Sequence, residues 1–308
     1  MTRAEMVQAI KEQAKVIGFS RIGIARAEEL TEEKQRLKSW LAKGYHGEMK
    51  YMENHFQKRT DPGKLVPGAR SVIVLAYNYH NPRKQQGDKI PKIAQYAYGK
   101  DYHFVVKDKL HELFNYINEE IAPISGRVFT DSAPVMERDW ARRAGLGWIG
   151  KNTLLISPGE GSYFFLGELI IDLELVYDQE IGDYCGRCTR CIEACPTDAI
   201  YEEGYEMNGS KCISYATIEL KGDIPEFFRG KMENWVFGCD ICQDVCPWNR
   251  FATPHNETDF EPHPDLLEMS REDWEALDED TFRELFRKSA VKRTKYEGLK
   301  RNMEFLKE

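Results

Sequence analysis

No apolar stretch in this chain approaches the roughly 18 residues that cross a bilayer. The longest candidate, Val72-Ile73-Val74-Leu75-Ala76-Tyr77, has the length of a strand. A signal-peptide core is missing as well, because Met1-Thr2-Arg3-Ala4-Glu5 already reads as the start of an amphipathic helix. These absences predict a cytoplasmic protein with no membrane partner. Positive charge is not in excess either. The net charge is −8 over 308 residues, which excludes a uniformly basic surface but not a local patch, since screening confines each charge to about 8 Å at physiological salt. Low-complexity tracts and long internal repeats are absent, and cysteine is scarce: eight in all.

Those eight are placed with purpose. Cys185, Cys188, Cys191 and Cys195-Pro196 form C-x2-C-x2-C-x3-C-P; Cys239, Cys242 and Cys246-Pro247 repeat its second half, and Cys212 stands between. Three closely spaced thiolates cap one face of a cubane, while the fourth cysteine, turned away at its proline, reaches the other cluster. The spacing therefore assigns Cys185, Cys188, Cys191 and Cys246 to one [4Fe–4S] cluster and Cys195, Cys212, Cys239 and Cys242 to a second. Paired zinc sites would prefer two CxxC pairs at finger or ribbon spacing, and disulfides would need an oxidising compartment. The chain handles low-potential electrons, which an external donor must supply.

The cluster motif occupies only about Asp183 to Phe251, so the first 180 or so residues do something else. Thr2-x-x-Glu5 is a capping box opening a helix that stops at Gly18, and Ser20–Ala25 reads as a strand. A helix over Thr31–Lys43, a strand over Ser71–Tyr79, a helix from Asp101 to about Glu120 and a strand over Arg127–Thr130 follow. A helix over Pro134–Ala144 is then expected, with Thr153–Ser157 and Tyr163–Leu175 as two strands joined by Pro158-Gly159-Glu160-Gly161. The mixture predicts an α+β domain with antiparallel pairing. Near the C-terminus Thr281-x-x-Glu284 predicts another capping box, with helix beyond. Three regions result: 1–176, 177–255 and 256–308.

Gly145 to Gly150 matches GxGxxG, and Gly145 to Lys151 matches GxxxxGK. A dinucleotide fingerprint must follow a strand and open a helix; here the order is reversed, and Asn152 stands where a P-loop needs a hydroxyl. These glycines are expected to end a helix and let a flat ligand approach the backbone. Asp131, between a strand and a helix, is either an N-cap, a role Ser132 could share, or a carboxylic acid of raised pKa that gives a proton beside a redox centre.

The strings Tyr96–His103, Asp131–Arg138, Ala144–Thr153, Gly161–Glu168, Cys212–Tyr215 with Thr217–Glu219, and Gly238–Asn249 together resemble epoxyqueuosine reductases over about Thr2 to Phe251. The resemblance implies a nitroreductase-like cobalamin-binding domain (1–176), a two-[4Fe-4S] ferredoxin-like module (177–255) and a short C-terminal helical region (256–308), which in many members is a longer helical-repeat extension. It implies an oxidoreductase that reduces epoxyqueuosine to queuosine in the anticodon wobble position of tRNA. Cobalamin, fed by the two clusters, would act with Asp131 as proton donor. The D-x-H-x-x-G signature of His-ligated cobalamin proteins is missing, since Val106 follows Asp101-Tyr102-His103 where glycine is required, so the cobalamin is expected base-off without a protein histidine beneath cobalt. Candidate cobalamin contacts are Lys151, Asn152, Leu155, Ser162, Ser214 and Asp240; candidate tRNA contacts are Lys221, Lys292, Arg293 and Lys295. A monomer is expected. Two other readings are a corrinoid reductive dehalogenase, which usually brings an export signal, and a ferredoxin-type electron carrier, which would leave Asp131 and the glycine cluster without work.

Overall fold

A computed structural model describes residues 1–87 and 89–307. Its centre is a four-stranded, wholly antiparallel sheet in the order β1 (Arg21–Arg26), β2 (Ser71–Asn78), β7 (Phe164–Ile171), β4 (Gly126–Phe129). Strand β2 is a run of apolar residues because both of its faces are covered. Ile73, Leu75 and Tyr77 point to one core, with the helices Arg3–Ile17 and Tyr102–Tyr116. Val72, Val74 and Ala76 point to the other, with Trp140 and Ala141 of the helix Glu137–Arg143. Two buried faces on one strand explain why alternation is absent from its sequence.

The N-terminal helix has the expected capping box at Thr2 and Glu5, and Gly18 ends it at φ 109°. The helix predicted to begin at Pro134 begins at Glu137, and neither Asp131 nor Ser132 caps it: its N-cap position is Met136, with no side-chain bond. Gly145 closes that helix at φ 74°, its N–H bonding the carbonyl of Arg142 while Leu146 N–H bonds Ala141. What approaches the glycine cluster, however, is the protein itself. Trp148–Ile149 is strand β5, paired with β6 (Leu155–Ile156) in a separate small sheet, and a Cβ on Gly147 would lie 2.1 Å from the Ile156 carbonyl oxygen. The hairpin expected between Thr153–Ser157 and Tyr163–Leu175 is therefore not formed. Its turn exists, closed between Ser157 and Gly161, but β6 pairs with β5 and β7 with β2 and β4.

The C-terminal region is integral to the fold. Trp274, Phe282, Phe286 and Leu299 form a core with Ile93, Val236 and Phe237, built on the parallel pair β3 (Lys92–Ile93) and β8 (Trp235–Phe237). The capping box expected at Thr281 is absent; Asp278 caps the helix Glu279–Leu285, accepting from Thr281 N–H at 2.8 Å. The last helix, Lys295–Lys307, is tied down by fully buried Asn302, whose amide donates to the carbonyls of Thr217 (2.9 Å) and Val236 (2.8 Å). Replacing Asn302 with Ala leaves both carbonyls without a donor and should lower stability by about 2 to 4 kcal/mol, read as a shifted denaturant midpoint of anaerobically purified protein.

Candidate active site

Cys185, Cys188, Cys191 and Cys246 line one cavity of about 220 Å³, bordered by Tyr184 and Trp248. Cys212, Cys239 and Cys242 act electrostatically on one another, and Cys195 acts on Cys212 and Cys242. Cys191 also acts on Cys242, so the two sets adjoin, but of the sequence neighbours Cys242 and Cys246 only Cys246 lines the cavity. Among the described residues, no three His, Cys, Asp or Glu side chains close on a single metal ion; the cavity set surrounds a volume, as the corners of a cubane require. Burial pushes the Cys191 thiol up to about 11 and those of Cys239 and Cys242 further. A thiolate is stable at such positions once the positive charge of iron offsets the lost hydration. Trp148 Nε1–H donates to Cys185 Sγ at 3.4 Å and Ala199 N–H to Cys195 Sγ at 3.4 Å, bonds of the kind that tune a cluster's potential.

Most of the residues expected to hold cobalamin instead join the cysteine region to the first domain. Lys151 Nζ donates to the carbonyls of Gly186 (2.9 Å) and Cys188 (3.1 Å), and Asn152 Nδ2 to that of Cys242 (3.2 Å). Buried Ser162 is bonded to Asn249 and Gln243, and buried Asp240 accepts from Gln95 N–H at 2.8 Å. Leu155 lies in the hydrophobic core under β2. The turn after the glycine cluster thus forms a joint, in which these polar atoms already have protein partners. Ser214 stays half-buried beside Cys212.

Asp131 has φ 48°, a left-handed conformation that aspartate tolerates better than most residues. Its carboxylate accepts a short hydrogen bond from Tyr102 Oη–H and lies 3.6 Å from His103 Nε2; His103 Nδ1 is 2.7 Å from Asp101. The backbone N–H of Asp131 donates to the Glu137 carboxylate. Half of the Asp131 side-chain surface is accessible although protein surrounds it on most sides, so it lines an open cleft. Beneath it, on β7, Glu168 is fully buried with neither carboxylate oxygen bonded to a donor.

The protons in this cluster are distributed against expectation. Burial alone would raise the pKa of Asp131, but the bonds from His103 and Tyr102 and the charges of His103 and Arg293 outweigh it and hold the carboxyl below its ordinary value. The predicted raised pKa belongs to its neighbours: burial and the Asp131 charge push Glu137 up to about 8, and burial, with the charges of Glu137 and Asp131, drives Glu168 well above the carboxylate range. Two acceptors facing each other bond when one is protonated, so the Glu137–Glu168 pair holds a proton at neutral pH. Sequence reasoning missed both glutamates as site residues. The available signal was a lone Glu in the otherwise apolar run Phe164–Ile171.

Two aromatic rings connect this cleft to the second cysteine group. Tyr96 lies against Gly238, where an added Cβ would be 3.4 Å from its ring, and Gly238 precedes Cys239. Tyr96 meets Tyr102 edge to face at 6.1 Å between centroids. Arg293, expected on a tRNA-binding tail, is paired with Glu219 at 2.9 Å and is close enough to Asp131 to act on its charge. Lys221, Lys292 and Lys295 are exposed.

Residues 184–249 match the family profile described as a 4Fe-4S double cluster binding domain, which puts the protein among the iron–sulfur oxidoreductases. Residues 59–132 match the profile described as Epoxyqueuosine reductase QueG, DUF1730. A relative from Cellulophaga algicola named epoxyqueuosine reductase is 55% identical over 306 residues, covering 99% of each chain. A crystal structure of epoxyqueuosine reductase with a tRNA-Tyr epoxyqueuosine-modified tRNA stem loop superimposes with TM-score 0.90 at 30% identity, covering 99% of this chain and 81% of that one. A Bacillus subtilis epoxyqueuosine reductase with its catalytic aspartate loop swung out of the active site also superimposes with TM-score 0.90 at 30% identity, covering 99% of this chain and 82% of that one. The chain belongs to the epoxyqueuosine reductase family.

Burial alone would depress the His103 imidazole, but its bonds to Asp101 and Asp131 and their charges push it up to about 9. A raised histidine stabilises the folded state fully below its unfolded pKa near 6.5, and the contribution is lost as pH rises through about 9. His103→Gln should therefore flatten the decline in melting temperature over that window; an unchanged slope would show that His103 is neutral there.

Proposed function

We propose that this chain reduces the epoxide of epoxyqueuosine in tRNA to an alkene, with the first cysteine group relaying electrons to the second, beside the Asp131 cleft in which a cobalamin would be held. The observation that carries the reading is the continuity from Cys239 through Tyr96 and Tyr102 to Asp131. We assign Cys185, Cys188, Cys191 and Cys246 to the outer cluster, Cys195, Cys212, Cys239 and Cys242 to the inner one, and the regions 1–176, 177–255 and 256–308 to cofactor cleft, electron relay and C-terminal support. The overall change is epoxide plus two electrons and two protons to alkene plus water.

The cleft fits a large flat cofactor in two respects. The rings of Tyr96 and Tyr102, which meet edge to face at 6.1 Å, border it, and both nitrogens of His103 face carboxylates, leaving no lone pair there for cobalt, which supports a cofactor with no protein histidine beneath the metal. Ser214 is the polar contact we retain from the sequence. When bound, cobalamin supplies the metal that delivers electrons to the epoxide carbon. The chain's own residues handle the protons. Covering the cleft removes the water that solvates the Asp131 carboxylate and raises its pKa; His103, at 3.6 Å, then passes it a proton while the Tyr102 hydroxyl holds the carboxylate in place. Asp131 delivers that proton to the departing oxygen, and solvent supplies the second proton of the water. Glu137 holds the Asp131 backbone in place, and its proton shared with Glu168 keeps a second negative charge away from the acid.

The tRNA backbone is assigned to Lys221, Lys292 and Lys295, with Arg293 nearer the cleft. Alanine at Lys292 and Lys295 should flatten the salt dependence of tRNA binding by up to roughly 0.7 to 0.9 log–log units per lost phosphate contact.

Asp131→Asn, purified anaerobically, should keep about eight irons, the content of two cubanes, and bind cobalamin base-off. It should convert an epoxyqueuosine-containing stem-loop at least about 10²-fold more slowly, the lower end of what a general acid contributes. Turnover near wild type would remove Asp131 from the proton path, and an iron content near two would replace both clusters by single-metal sites.

A further inference from the structure

Cys185, Cys188, Cys191 and Cys246 line a cavity bordered by Tyr184 and Trp248, and an aromatic, cation-bearing surface lies over it. Tyr184 is 56% exposed and Phe251 39% exposed. Trp248 lies between them, with ring centroids 6.1 and 6.0 Å away, and packs edge-on to buried Trp148 at 4.9 Å. Arg250 lies over the Phe251 ring at 4.5 Å, and Arg187 and Arg190 flank Cys188 and Cys191 in the chain; all three are exposed, and among the described residues none of them has a carboxylate within ion-pairing distance. The nearby acids are engaged: Asp183 accepts from Tyr205 and from Cys185 N–H, Glu193 from Thr189, and Asp244 from Lys84 and Tyr163. An open concavity of about 730 Å³, lined by Cys246, by the cations Lys84, Arg190 and Arg250 and by the acids Glu193 and Asp244, adjoins the patch.

We infer that this face is the docking surface for an acidic protein that carries a one-electron cofactor at its own surface. Exposed aromatics together with unpaired arginines have the composition of the energetic centre of a protein interface. On a chain of net charge −8, a cationic patch over a redox centre selects a partner of opposite sign and orients it on approach. Docking brings the carrier's cofactor to the side of the cluster cavity bounded by Tyr184 and Trp248. Each encounter moves one electron: the reduced carrier is oxidised by one, the outer cluster is reduced by one, and no bond is made or broken. Two encounters supply the two electrons of the reaction. The inference rests on the two-cluster reading above.

The test compares wild type with Arg187→Glu/Arg190→Glu, both loaded with iron and sulfide, using a reduced acidic flavodoxin as probe. Stopped-flow bleaching of the clusters by flavodoxin should slow at least about 10-fold in the variant at low salt, the lower end of electrostatic steering, and lose its dependence on ionic strength. Calorimetric titration with oxidised flavodoxin should show weakened binding. Reduction by dithionite, a small reductant, should be unchanged. A Tyr184→Ala variant, which leaves the charges in place, should weaken binding without changing the salt dependence. Equal flavodoxin rates and equal binding in wild type and Arg187→Glu/Arg190→Glu would overturn the docking surface. Wild type without cluster absorbance would overturn the two-cluster reading instead.

Discussion

Cys246 shares a cavity with three cysteines more than fifty positions earlier in the chain, and the rest of the architecture depends on that contact. It forces the segments around 185–195 and 239–246 to fold over one another. Once they do, Asn152 reaches the Cys242 carbonyl, Lys151 reaches those of Gly186 and Cys188, and Ser162 meets Asn249. The first domain thereby grips the cysteine region through backbone carbonyls. Oxygens of that kind are indifferent to the redox state of a cluster, and the grip fixes the inner cysteines against the ring of Tyr96.

The cleft is governed by a different economy of charge. Asp131, Glu137 and Glu168 are three carboxyls whose counter-charges are His103, Arg138 and Arg293; His103 is shared with Asp101 and Arg293 with Glu219, and burial keeps the three from ionising together. The acid nearest solvent and the histidine ionises, and the deeper pair retains a proton. Glu168 is held to this by β7: a strand in the middle of the sheet cannot turn one residue outward without reversing all of its others.

Much of this was legible in the sequence, and the failures have physical reasons. The spacing of the cysteines, the apolar run of β2, and the capping box at Thr2 each follow from local geometry and were read correctly. The hairpin before β7 was misread because a turn signal at Gly159 and Gly161 says that the chain reverses but not which strand becomes the partner. Of the cobalamin candidates, Lys151, Asn152, Leu155 and Ser162 rest on the turn and strand after the glycine cluster, and Ser214 and Asp240 on adjacency to cysteines; both signals fit a structural joint equally well. Asp131 was identified by its place between strand and helix, but the direction of its pKa depends on His103 and Tyr102, 28 and 29 positions away, which no local pattern reveals.

The cavity around Cys185, Cys188, Cys191 and Cys246 also bears on chemical durability. Dissolved oxygen and chelators arrive from the solvent, and that cavity is bordered by exposed Tyr184. Under the proposed two-cluster assignment, air meets the cluster at this cavity first. A molecule damaged there would keep the cluster proposed to lie beside the cleft while losing its supply of electrons, so cofactor content and activity would decline on different schedules.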